Sequence, residues 1–254
     1  MTIIDKPVRM PRSAFFVAWN LAELGELPAV VDPDDSYSTA EFAKELTRRS
    51  LSRFTALRLA TDDGRLTPEF RATLSLLAGP EREFYSWTAF GSHPDDNGAV
   101  FVAAAGPDAV RLITDNRSIQ LDPIGPRHVA ASLVDTLPGF APARIQQLRV
   151  PTAYLEGTDA DPMSELSGVA DVMRHLMRAE RVAVHKLYAA IRDGDGDRVR
   201  STPLTVYDLA PTGRVLAFTS DTNDGELEAN MCTGSRTNLI DALNLTHDGL
   251  AVAR

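Results

Sequence analysis

The feature that most limits what this chain can fold into is a repeated order of elements. Over residues 83–137 it reads strand, loop, strand, turn, strand, turn, strand, helix, and over 181–245 the same order returns. The first copy places strands at 83–90 (EFYSWTAF), 99–105, 110–114 and 118–122, then a helix over 127–137 behind Pro126. The second places them at 181–191, 199–209, 214–219 and 226–232, then a helix over 237–245. Apolar runs rich in aromatic and β-branched residues suit pleated, half-buried surfaces. Turns such as Gly106-Pro107-Asp108 are short, and connections of about two to five residues join only adjacent antiparallel strands. A repeat of about 100 residues is far too long for a solenoid. Two copies of one unit sharing an antiparallel sheet, related by a pseudo-two-fold axis, satisfy both observations. The expected class is α+β.

The remaining stretches read as helices and connectors. Residues 1–12 read as a flexible tail. An apolar helix over 15–24 ends at Gly25 and Pro28, and Asp32-Pro33-Asp34-Asp35 is a turn cluster. Thr39 is placed to cap a helix carrying Phe42, Leu46, Phe54 and Leu57, which Asp62-Asp63-Gly64 stops. Another helix spans 66–77, with Pro68 in its first turn and Gly79-Pro80 as its stop. Residues 144–150 read as a strand. Residues 162–178 read as a helix with Leu166, Val169, Val172, Met173 and Leu176 on one stripe. A single domain over 13–254 is expected, with halves of about 13–140 and 141–254.

Composition excludes some functions. The 254 residues carry a net charge of −9. A sequence-independent grip on nucleic acid needs clustered Lys and Arg, so nucleic acid is not an expected partner. Docking on anionic lipid is disfavoured for the same reason. Only Lys6, Lys44 and Lys186 are lysines among 26 basic residues, an arginine excess that hints at a GC-rich genome. Cys232 is the one cysteine, so no intrachain disulfide forms and no oxidising compartment is needed. The N-terminal residues lack a signal pattern, and no apolar run approaches the roughly 20 residues that span a bilayer. The cytoplasm is the expected location, without membrane insertion.

Candidate chemistry is sparse. Asp193-Gly-Asp-Gly-Asp197 has acids at positions 1, 3 and 5 of a calcium loop, but Arg198 stands where the loop needs glycine and Leu204 where it needs glutamate. It reads as a hairpin tip, since Gly and Asp tolerate positive φ. The five histidines lack the spacing of helical metal ligands. His93 beside Asp95 and Asp96 reads as a polar loop. There is no Gly-x-Ser-x-Gly elbow and no phosphate-binding glycine loop. Cys232 ends an alternating strand and reads as an inert thiol. No catalytic residue, metal site or cofactor is expected, and the motif search turns toward binding.

Several passages, in order, resemble one family. They are Gly25-Glu-Leu-Pro-Ala-Val-Val, Ala43-Lys-Glu-Leu-Thr-Arg-Arg-Ser-Leu, Leu66-Thr-Pro-Glu-Phe with Leu76-Leu-Ala-Gly-Pro, and Val206-Tyr-Asp-Leu-Ala-Pro-Thr-Gly-Arg-Val-Leu. Together they resemble the EspG family, cytosolic chaperones of type VII (ESX) secretion in actinobacteria. Ser50 stands where that family often has glycine. The resemblance runs over nearly the whole chain. It implies a central antiparallel sheet flanked by two helical bundles, with quasi-two-fold halves. It implies a non-enzymatic chaperone that holds the apolar helical tip of the PPE protein in a PE–PPE pair and keeps it soluble for secretion.

In that family the grip comes from the loop between the second and third strands and from the C-terminal helical bundle. Here the loop maps to 90–98, and the bundle to the helices at 165–178 and 236–244. The contact residues so implied are Phe90, His93, Asp95, Asp96, Asn97, Val169, Met173, Arg236 and Asn238. A homodimer is left open. Two rivals stand beside this reading. One is a helix-grip module enclosing a small apolar ligand, which needs an enclosed apolar cavity between sheet and helix. The other is a hydrolase or transferase, which needs convergent polar residues in one cleft.

Overall fold

The computed structural model describes residues 2–31, 39–91, 97–115, 117–157, 163–222 and 224–252. The Asp32–Asp35 turn and the loop residues His93, Asp95 and Asp96 lie outside them. The first half contains β1 (Val8–Pro11), α1 (Arg12–Leu21), α2 (Ala40–Ala56), α3 (Pro68–Ala78), β2 (Arg82–Phe90), β3 (Gly98–Ala105), β4 (Asp108–Thr114), β5 (Ser118–Pro123) and α4 (Val129–Val134). The second contains β6 (Leu148–Pro151), α5 (Thr152–Glu156), α6 (Glu165–Arg178), β7 (Glu180–Arg192), β8 (Arg198–Arg200), β9 (Leu204–Ala210), β10 (Gly213–Asp221), β11 (Leu227–Thr233) and α7 (Arg236–Val252).

All strands join one antiparallel sheet in the order β1-β5-β4-β3-β2-β7-β9-β10-β11-β6, with β8 also on β7. The order is symmetric about the β2–β7 ladder, where Tyr85 faces Tyr188. Strand for strand, β2-β3-β4-β5 and β7-β9-β10-β11 leave the centre in opposite directions. Each copy then ends in a helix, α4 or α7.

The repeat extends further than the sequence reading placed it. Val8-Arg-Met-Pro11 and Leu148-Arg-Val-Pro151 are the two outermost strands, and each ends in a proline that caps the next helix. Residues 8–11 are therefore not tail: they pair with β5 from Val8↔Leu121 to Pro11↔Ser118, and Met10 is buried. Another departure is the stretch 199–209, which splits into β8 and β9. Pro203 lacks an N–H for the ladder, and Ser201 bridges the gap. Its N–H donates to Ala189 O at 2.9 Å, and its Oγ accepts from Ala189 N at 3.1 Å. The helix after Pro126 is shorter than expected, and α7 runs on to Val252.

Alternation along the strands sends residues to two faces. On one face Tyr85, Phe101, Leu112 and Leu121 pack beneath α1, α2 and α3, whose Phe15, Trp19, Phe54, Phe70 and Leu74 are buried. Farther along the same face, Leu209, Val215 and Met231 pack beneath α6, with Tyr154 and Leu155 of α5 at the margin. The opposite face carries Phe84, Val102, Leu187, Val206 and Leu216 beneath α4 and α7. Local signals start these helices: Thr39 Oγ1 accepts from Phe42 N at 3.2 Å, Thr67 Oγ1 from Phe70 N at 3.4 Å and Ser164 Oγ from Leu166 N at 3.2 Å.

Candidate partner-binding surface

The motif Val206-x-Asp208…Gly213-Arg214 forms the β9–β10 hairpin and builds a buried hub. Asp208 and Arg214 are cross-strand partners, and the guanidinium grips the carboxylate at 2.7 and 2.8 Å. Arg214 also donates to Pro138 O at 2.7 Å. Its backbone N–H and C=O bond Ala141 O and Ala143 N. Gly213 sits at φ +112°, where an added Cβ would meet Ala143 N at 2.8 Å, so the connector between the halves passes at backbone contact.

Across the sheet the hub continues to His185, whose Nε2 lies 3.1 Å from Asp208 and whose Nδ1 lies 2.9 Å from Thr88 Oγ1. A hydroxyl, an imidazole and a carboxylate in line have the geometry of a proton relay. His185 is 0% exposed, however, and Asp208 is held by arginine. Burial alone would raise the Asp208 carboxyl, but hydrogen bonds from Arg214 and His185 hold it below the ordinary carboxylate range. This chain of contacts ties the sheet together.

Three residues beyond Thr88 the β2–β3 connection begins. Phe90 N–H donates to Asn97 Oδ1 at 2.9 Å, which closes the loop at its root. Gly91 N–H reaches Val182 O at 3.3 Å, and an added Cβ on Gly91 would sit 3.0 Å from Arg181 O. The root of the loop is thus fastened to the junction of α6 and β7.

That junction is apolar and open. Ala170, Met173 and Leu176 of α6 face the sheet. Val172 is 48% exposed on one flank of that buried stripe and Met177 42% on the other, and Val182 of β7 is 43% exposed. Arg181 donates to Met177 O at 2.8 Å and lies over the Tyr207 ring at 5.1 Å. A cleft of about 280 Å³ continues from the loop root onto the sheet, lined in part by Trp87, Ala89, Asn97, Val184 and Lys186.

The structure brings together only some of the residues singled out in the sequence. Phe90 and Asn97 meet at the loop root. Val169 is half-buried against the α6 core, and Met173, at 2% exposure, fills that core and presents no surface. Its buried position follows from a spacing of three between Ala170, Met173 and Leu176. The exposed apolar positions are instead Val172 and Met177, together with Val182, which the alternation of β7 marked only as strand.

Arg236 and Asn238 lie on α7, across the sheet from α6. Arg236 pairs with Asp135 at 2.6 Å and holds that carboxyl below its ordinary range. Asn238 donates to Thr233 O at 3.0 Å. An apolar groove of about 380 Å³ runs between α7 and strands β10 and β11, with Leu216, Phe218, Cys232 and Leu245 on its walls. Leu245 is exposed at its lip, so the groove is not an enclosed ligand cavity. Burial pushes the Cys232 thiol up. Asp193 Oδ1 accepts from the N–H groups of Asp195 and Asp197, which gives the first acid of that hairpin tip a turn-closing role. Among the described residues, no three His, Cys, Asp or Glu side chains are grouped to hold a metal ion. No described helix is long and apolar enough to cross a membrane.

The EspG family model matches residues 11–244. This chain belongs to the EspG family. Among solved structures it is similar to the type VII secretion system chaperone EspG5 of Mycobacterium tuberculosis, solved in complex with a PE25–PPE41 dimer. The TM-score is 0.70 at 15% identity, covering 95% of this chain and 96% of that one. A comparison with curated proteins finds no match. The EspG fold thus persists where little of the sequence is shared, and the sheet with its two helical groups is what carries over.

Proposed function

We propose that this chain is a cytoplasmic chaperone of type VII secretion that binds the helical tip of a PPE protein in a PE–PPE pair and does no chemistry on it. The observation that carries this reading is the near-complete structural match to a chaperone solved with such a pair. The surface described above fits the task. Met177 and Val182 are exposed apolar side chains near the root of the β2–β3 loop, and Val172 is a further exposed apolar position on α6. An exposed apolar helix tip in a client is an aggregation hazard, and covering it removes the hazard. A typical complex of this kind buries about 800 Å² on each partner. Polar residues at the rim, with Asn97 at the loop root, keep the interface releasable.

The test is co-expression with a PE–PPE pair from the same genome, followed by size exclusion with light scattering. A 1:1:1 complex is the expected result. Removing residues 92–96 is expected to weaken it. Failure of every such pair to co-elute with the intact chain would sink the proposal.

A further inference from the structure

Three sheet arginines of this protein are neutralised in place by buried acids. Arg111 pairs with Asp122, Arg198 with Glu83 and Arg214 with Asp208. Three cations on β7 and the adjoining β8 are placed differently. Lys186 stands between Trp87 and Thr205 in the ladder, on the floor of the cleft at the loop root. Arg181 lies over Tyr207 at 5.1 Å, and Arg200 over Tyr188 at 5.6 Å. All three are exposed. None is held by an acid among the described residues.

They share one face. Val184, Lys186 and Tyr188 alternate onto the side that bears Tyr85 and Trp87, and Val184 is the cross-strand neighbour of Tyr207. From the level of Tyr207 to that of Tyr188 is four residues, or about 13 Å along the strand. The last turn of α6 adds His175 and Arg178 at one end. Glu180 is the only acid within β7. Asp115, across the cleft, is occupied by the N–H groups of Arg117 and Ser118. In a chain of net charge −9, this strip is locally positive among the described residues. The two guanidinium groups lie within cation–π distance of their tyrosine rings before any partner arrives.

We infer that this strip is the electrostatic part of the client-binding surface and takes an acidic helix of the PPE partner. Carboxylates at i and i+4 of a helix are separated by a rise of about 6 Å. That separation matches the step of about 6.6 Å between alternate residues of β7. The exposed apolar side chains of Met177 and Val182 then cover the greasy tip, while the cations select its charge and orientation. Complementary charge acts chiefly on encounter rate and partner choice. The inference rests on the chaperone reading and adds the sign of the client.

The test compares the intact chain with a Lys186→Glu/Arg200→Glu variant, titrated against the purified PE–PPE pair that co-elutes with wild type. Circular dichroism first establishes that the variant is folded. Affinity for the variant is expected to fall roughly tenfold or more, chiefly through a slower on-rate. Wild-type affinity is expected to weaken as salt rises from about 0.05 to 0.5 M, because exposed charges are screened. Reversing acidic residues on the client helix should restore binding to the variant. Arg53→Glu on α2, remote from the strip, should leave affinity unchanged. If wild type and variant bind equally at both salts, the strip is idle and the inference falls while the chaperone reading stands. If wild type binds no pair at all, both fall.

Discussion

The two halves of the sheet have the same strand order, but not the same cover. Over the first half, α1, α2 and α3 bury Tyr85 and Phe101 beneath Phe15, Trp19, Phe54 and Phe70. Over the second, α5 has five residues, none of them buried, and α6 supplies most of the packing. Tyr207, Ala217 and Thr219 stay accessible there, and so does Lys186. A symmetric scaffold with asymmetric cover leaves more bare sheet on the second half, continuous with the cleft at Trp87 and Ala89. The difference separates residues that hold the fold from residues free to meet a partner.

That separation can be broken first in the sealed half. Phe70→Ala is expected to cost about 3–5 kcal/mol of stability, read by urea unfolding, because the helix above it cannot collapse into the void. Val172→Ala on the open half should stay within about 0.5 kcal/mol in the same measurement. Equal losses would mean that the second half is as closed as the first.

The hub that joins the halves should be nearly as costly to disturb. Asp208→Ala strands Arg214 in the interior and is expected to cost about 3 kcal/mol or more. The pH dependence has a definite sign. The folded Asp208 carboxyl is lowered, so its contribution is complete above the ordinary carboxylate value near 4. It is lost as pH falls from there through the lower folded value. Denaturation followed from about pH 5 to 2 should therefore show a shallower acid limb in Asp208→Asn than in wild type.

A smaller effect on stability, with a large one on binding, is expected for Val172→Asp/Met177→Asp. Affinity for the PE–PPE pair should drop by at least about 1 kcal/mol, measured by titration calorimetry. The caps are modest: Thr39→Ala in the sealed half and Ser164→Ala in the open half should each cost about 1 kcal/mol by thermal unfolding. Only the second should also weaken client binding, since it loosens α6.

Local chemistry made much of this legible. Thr39, Pro68 and the Gly-Pro turns act on their own neighbours, so helix starts and hairpins could be placed from short stretches. The edge strand at Val8–Pro11 could not, because its partner β5 is more than a hundred residues away and four residues show too little alternation. The signal present was the match between Val8-Arg-Met-Pro11 and Leu148-Arg-Val-Pro151, visible only once the duplication is carried outward. In α6 the apolar stripe was plain, but periodicity does not say which edge of a stripe faces the sheet. That ambiguity put Met173 on the surface, left Val172 as one more member of the stripe and left Met177 unmarked. Nor does a strand pattern tell α6 and α7 that they will settle on opposite faces.

The two outermost strands carry a further consequence. A sheet of eleven strands ends in two rows of unpaired backbone donors and acceptors, and such rows recruit foreign strands. Here each row is four residues long and stops at proline, at Pro11 and at Pro151. Too little template remains at either end for another chain to copy. In the proposed role beside a client's exposed apolar helices, this keeps the chaperone itself from becoming a seed for aggregation.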